Sequence, residues 1–208
     1  MDKEITLVFR KKGLRSLIEV DLCSECPRQD NKGCCGYYSP VFYPTDLAFI
    51  KKHKPELIDY IFSLPCLTVL DASVTVNSTP DTTDGSYYCQ FHTLDQGCLV
   101  PMELRESVCR HFVCPGIGWW EDENLAAWKE YFDQLADFEI ALNNTLAAQL
   151  KTEGLSLRNP ADRDRFLSRL ESLMDYDLYN NVPLGENLPS EAEVRIRRSL
   201  SFGREWIL

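Results

Sequence analysis

A regular spacing of apolar positions runs through "EDENLAAWKEYFDQLADFEIALNNTLAAQLK", residues 121–151. Leu125, Trp128, Phe132, Leu135, Phe138 and Leu142 recur at intervals of three and four, so one face of a long helix is apolar. The acidic residues at its start suit a helix N-terminus. Pro160 and Asp162 predict the opening of a second helix that carries Phe166, Leu167, Leu170, Leu173 and Met174. "PLGENLPS" interrupts the pattern, and Ser190 with Glu193 reads as a capping box that starts a third. No repeat or low-complexity tract is present.

The first half has a different texture. "ITLVF" predicts a short strand. Thr45-Asp46 predicts a cap for a helix running to about His53, and Pro55 opens another. "LTVLDASVTVN" and "SYYCQF" are β-branched and aromatic, and the turn formers of "STPDTTDG" between them suggest a hairpin with a long loop. Pro101 predicts a short helix to about Val108. Pro115-Gly116 and Gly118 end this half before Trp119-Trp120. The expected fold class is α+β: a small irregular cysteine-rich metal-binding module with short strands and helices over residues 1–120, then a mainly helical part over 121–208 packed on it.

Composition adds that 44% of the residues are hydrophobic, enough for an ordinary core without disulfide bridges to replace it. The start lacks a signal-peptide apolar run, and no stretch approaches the ~20 apolar residues of a membrane-spanning helix. The expectation is a cytoplasmic chain. A net charge of −10 argues against binding nucleic acid or anionic membranes through phosphate contacts. The basic runs Arg10-Lys11-Lys12, Lys51-Lys52-His53-Lys54 and Arg195-Ile196-Arg197-Arg198 are short and read as solvated faces.

The candidate chemistry is in the cysteines. All nine lie between residues 23 and 114, and eight of them form two groups. The first is Cys23-x2-Cys26-x7-Cys34-Cys35, and the second is Cys89-x8-Cys98-x10-Cys109-x4-Cys114. In a reducing compartment such clusters point to metal or redox chemistry rather than structural disulfides. Thiolates suit zinc, or iron in an iron–sulfur cluster, while magnesium and calcium would call for carboxylates. Eight thiols fill one four-thiolate centre or two. Cys34 and Cys35 are adjacent, and in an extended chain their side chains leave on opposite faces, so they are not expected to serve one metal equally. Cys66, alone in an apolar run, is expected in the core.

Around the cysteines, His111 and His92 are read as histidines near the site rather than ligands, and His53 as a surface residue. Arg105 and Arg110 would offset thiolate charge or pair with Glu103 or Glu106. Trp119-Trp120 mark the seam where the helical half docks. Glu130, Asp133, Asp137 and Glu139 read as a solvated helix face. No phosphate loop, dinucleotide fingerprint or nucleophile elbow is present, and no acid–base or nucleophile constellation stands out.

The spacing Cys23-x2-Cys26, the Gly33-Cys34-Cys35 triplet, "YYCQFHTLDQGC" and "CRHFVC" together resemble the YkgJ-type cysteine-cluster family, described as a zinc- or iron-chelating domain with a CxxCxxCC signature. "CLVPMELRESVCRHFVC" keeps the family's Arg105, Cys109, Arg110, Phe112 and Cys114. The match covers roughly residues 20–118. The gap before the double cysteine is seven residues here instead of two, the family's Tyr is missing, and Glu106 stands where it has Pro. Some members are flagellin lysine N-methylases, whose cysteines are linked to an iron–sulfur cluster. The resemblance implies a metal–thiolate centre built from Cys23, Cys26, Cys34, Cys35, Cys89, Cys98, Cys109 and Cys114, with zinc and iron both open. It would serve a structural, redox or accessory role, the last bringing in a protein partner. An enzyme related to the methylases and a metal-free thiol redox regulator are the alternatives.

Overall fold

The computed structural model describes residues 2–22, 33–36, 38–82, 85–93 and 97–199. The chain is α+β, with a mainly helical C-terminal part. Strand β1 (Asp2–Arg10) alternates strictly, with Ile5, Leu7 and Phe9 fully buried. Each buried side chain of this size contributes about 1.5–3 kcal/mol. β1 turns through Lys12–Ser16 into β2 (Leu17–Val20), its antiparallel neighbour. Gly13 sits in the turn at φ 48°, and a Cβ there would lie 2.3 Å from the Leu178 carbonyl oxygen. Only glycine meets both demands.

β3 (Val41–Phe42) leads into α1 (Pro44–His53), and α2 (Pro55–Ser63) follows with proline at its first position. The cap of α1 is Tyr43 rather than Thr45-Asp46. Pro44 occupies the first turn, and Asp46 reaches back to accept the Tyr43 N–H at 3.3 Å. "LTVLDASVTVN" forms a tight hairpin by itself, β4 (Leu67–Val69) with β5 (Val74–Val76), and β5 also pairs with β3. The loop expected at "STPDTTDG" joins a second small pair, β6 (Thr79–Pro80) and β7 (Tyr87–Tyr88). β8 (His92–Thr93) and β9 (Gly97–Cys98) form a third.

The helix expected from Pro101 to Val108 is broken at Arg105. A 3-10 turn, Met102–Leu104, precedes α3 (Ser107–His111). The Arg105 carbonyl turns out to accept the guanidinium groups of Arg15 and Arg110, and Glu106 caps the new helix by accepting from the Val108 and Cys109 N–H groups. The long helix α4 (Ala126–Thr152) and α5 (Arg163–Leu173) fall where periodicity puts them. α1 packs against α2, α4 and α5.

The third helix of the second half is instead a strand. β10 (Glu191–Ser199) pairs with β1 along its whole length, so the first sheet runs β10-β1-β2. Ile196 faces Ile5, Val194 faces Leu7 and Ala192 faces Phe9, while Glu191, Glu193, Arg195 and Arg197 point to solvent. Nine residues of "EAEVRIRRS" satisfy a period of two, and β1 supplies an edge for them. A capping-box pattern does not outweigh a complete ladder of hydrogen bonds. No helix among the described residues is long and apolar enough to cross a membrane.

Candidate metal–thiolate cavity

Six cysteines line one cavity of about 340 Å³: Cys34, Cys35, Cys89, Cys98, Cys109 and Cys114. They come from four separate segments. Cys34 and Cys35 lie on a 3-10 turn, Gly33–Gly36. The Cys89 N–H donates to the Cys35 carbonyl at 2.6 Å and fixes the strand end of β7 against that turn. Cys98 ends the β8–β9 hairpin. Cys109 is on α3, and Cys114 begins the turn that follows it. The rest of the wall is mostly apolar, with Ile18, Phe42, Phe91, Val100 and Ile117 among its residues. Tyr38 and Phe112 pack edge to face at 5.0 Å, and Tyr38 and Val108 stand at the exposed side of the wall.

Adjacent Cys34 and Cys35 do not splay apart, because the backbone is a 3-10 turn and not the extended chain the alternation argument assumed. A 3-10 turn separates neighbours by about a third of a revolution. Both line the cavity, and their side chains hydrogen-bond each other. That bond holds the Cys34 thiol down to about 7 against the cost of burial, with Arg105 helping, and pushes the Cys35 thiol up. Burial raises Cys89 to about 11, and the charges of Cys98 and Cys34 add to it. Burial and Glu106 raise Cys109, whose thiol bonds the Glu106 carboxylate. The sulfurs sense one another's charge, so several thiolates could coexist here only with a cation among them.

The donor set fits a soft or borderline metal: six thiols and one guanidinium in a mostly apolar wall, with the Glu19 and Glu106 carboxylates also in the lining. Among the described residues no three His, Cys, Asp or Glu side chains are grouped closely enough to hold one ion. Cys23 and Cys26 lie outside the described residues. Cys66 is neither in the cavity nor in the core. It is half-exposed at the start of β4, with its backbone clasped by the Gln90 side-chain amide. An apolar neighbourhood in sequence did not become one in space, since β4 is an edge strand.

Arg105 lies in the wall. Its Nε donates to the Val100 carbonyl at 2.8 Å, and one amino group meets the Met102 sulfur at 3.6 Å. Arg110 points the other way. It is fully buried and donates to the Leu14 and Ser16 carbonyls at 2.6 and 2.9 Å and to Glu139 at 3.0 Å. Arg15, also buried, pairs with Asp46 at 2.8 Å. Glu130, Asp133 and Asp137 are exposed as expected, but Glu139 is buried and is the partner of Arg110. Its spacing from Phe132, Leu135 and Leu146 puts it on the apolar stripe of α4. A carboxylate there was the available signal for a buried cation. His111 does not line the cavity. Its Nε2 is 3.0 Å from the Ser16 carbonyl, and its ring meets Phe132. Trp119 packs on Phe9 at 5.1 Å, beside Trp128 of α4.

No family model matches the chain, and no curated protein or solved structure matches it either.

Proposed function

We propose that the chain is a metal–thiolate protein whose clustered cysteines hold a polynuclear centre, an iron–sulfur cluster in preference to a lone zinc ion. The observation that carries this reading is the convergence of six cysteines from four segments on one cavity of about 340 Å³. Isolated buried cysteines behave as small hydrophobes and scatter through a core, whereas these share a single wall. The space, about 340 Å³, and six cysteines, more than the four thiolates one tetrahedral ion takes, favour several metal atoms over one. When bound, such a cluster supplies one-electron chemistry or a structural crosslink. Arg105 offsets the charge of the thiolates, Glu106 holds the start of α3, and the aromatic pair Tyr38–Phe112 limits water. Cys23 and Cys26 complete the set proposed from sequence.

The competing reading is a thiol redox regulator without permanent metal, favoured by the Cys34–Cys35 contact and the low Cys34 thiol. Anaerobic purification followed by iron, sulfide and zinc analysis with thiol counting separates the two. A brown protein with stoichiometric iron and sulfide, and few titratable thiols, is expected. A colourless protein with zinc overturns the cluster. A folded, metal-free protein whose thiols all titrate overturns the metal centre and leaves the regulator.

A further inference from the structure

The first sheet ends on a long strand with one side open. β10 is nine residues long, β1 is its neighbour on one side, and among the described residues no strand lies on the other. One step beyond the Arg10–Glu191 pair, the Lys11 N–H donates to the Ser190 carbonyl, and this fixes the alternation of the antiparallel ladder. The backbone groups of Ala192, Val194 and Ile196 turn to β1. Those of Glu191, Glu193, Arg195 and Arg197 turn out of the sheet. Among the described residues, the Arg197 carbonyl alone of these has a partner, the Arg198 guanidinium at 3.0 Å. Ala192 and Val194 face the core but stay part-exposed at this margin.

Open edge strands invite pairing, and proteins commonly guard them with charges. That ordinary account covers the presence of charged residues on β10 but not their order. The outward side chains are Glu191, Glu193, Arg195 and Arg197, acidic in the first half and basic in the second. Such a strand is complementary to its own antiparallel copy. The pleat admits only registers that set outward residues against outward residues. Centred on Val194, the pairing sets Glu191 against Arg197 and Glu193 against Arg195. Centred on Glu193 or on Arg195, it would set that residue against its own charge. Within one chain these side chains make exposed pairs, Glu191 with Arg10 at 3.0 Å, Glu193 with Arg195 at 3.2 Å and Arg197 with Glu4 at 3.7 Å. Exposed pairs contribute little and can exchange partners.

We propose that β10 pairs antiparallel with β10 of a second copy of this chain, about a two-fold axis at Val194, joining two three-stranded sheets into one. The interface is isologous, the same strand serving both copies. Glu193 and Arg195 exchange backbone hydrogen bonds at its centre, and Ala192 and Val194 are covered by their counterparts. Arg198, which holds the Ile117 and Gly118 carbonyls as well as that of Arg197, leaves the ends of the pairing weaker than the middle. No residue of β10 lines the thiol cavity, so the inference stands apart from the metal reading.

The test is sedimentation equilibrium of the purified full chain over a range of concentrations, anaerobic and with reductant so that cysteines do not crosslink copies. A reversible monomer–dimer equilibrium is expected, weakening as salt is raised. Glu193→Arg and Arg195→Glu, each alone, set like charges opposite and should weaken the dimer about tenfold or more. An equimolar mixture of the two variants should restore it, because every outward position is then complementary again. Exposed Asp137→Lys, on α4, should leave it unchanged. A chain that stays monomeric at all concentrations overturns the proposal. So does a dimer that both single variants leave intact, or one that the mixture does not restore. If either single variant unfolds by circular dichroism, Glu193→Arg/Arg195→Glu, complementary to itself, replaces it, and a weakened dimer there overturns the pairing equally. Amides of Glu193 and Arg195 that resist hydrogen exchange in a monomeric sample overturn it as well, since the edge is then covered within one chain.

Discussion

Glu139 shows how one residue can invert a reading of its surroundings. Its carboxyl is raised by burial and drawn back by Arg110, which itself touches the carbonyls of Leu14 and Ser16. Removing the carboxylate leaves buried Arg110 with only Asp46, 3.8 Å away and already paired with Arg15, as a countercharge. Glu139→Ala should therefore lower stability by about 3–5 kcal/mol. Urea denaturation would check it, with exposed Asp137→Ala as the neutral comparison. The cysteines divide in the same residue-by-residue way. Cys34→Ser and Cys109→Ser each remove a thiol from the cavity wall and should reduce bound metal, whereas Cys66→Ser should leave metal content unchanged. Metal analysis of the three proteins decides this, and loss of metal in the Cys66 variant would contradict the cavity as the site.

At the level of elements, the helices α4 and α5 were legible, while the helix expected over 101–108 broke at Arg105 and the last strand was not read. α4 and α5 follow from apolar spacing because a helix writes its buried face into sequence at 3.6 residues per turn. β10 carries a period of two over only nine residues, and its helical reading rested on two capping residues. What makes it a strand is β1, some 190 positions earlier, which no local window contains. The alternation gives a direct check. Ile196→Ala, at a buried ladder position, should cost about 2–4 kcal/mol, and Arg197→Ala, one residue on and facing solvent, less than about 0.5. Equal effects by chemical denaturation would remove the strand. Gly13→Ala should also destabilise by more than about 1 kcal/mol, since the turn has a positive φ and the Leu178 carbonyl occupies the space.

For the whole molecule, the cavity draws the turn at Cys34-Cys35, two hairpin ends and α3 together, so a metal held there as proposed would link its binding to the fold. If the proposed metal is present, removing it with a chelator under anaerobic conditions should lower the melting temperature, because a metal held by distant segments would bind only the folded arrangement. An unchanged transition would make the centre a passenger on a fold that stands alone. Alkali provides a separate probe. The Tyr179 hydroxyl is buried and donates to the Thr45 carbonyl at 2.6 Å, and burial raises its pKa. The native state then holds the proton more tightly than the unfolded chain does. Its contribution is intact below the unfolded value of about 10 and is lost as pH climbs beyond it. Tyr131 and Tyr176 are raised in the same direction. Tyr179→Phe should flatten part of the alkaline decline while costing about 1 kcal/mol near neutrality. Unfolding free energies measured across that range would show both.

Sequence by itself determined the mixed α+β character, the helices α4 and α5 and the grouping of eight cysteines. Each is a property of residue type or short-range period. Tertiary structure alone decided that Cys34 and Cys35 face the same space, that Cys66 does not, that Glu139 is buried with Arg110, and that β10 closes a sheet on β1. These depend on which distant segments meet, and a chain records its partners only through the shape they make together.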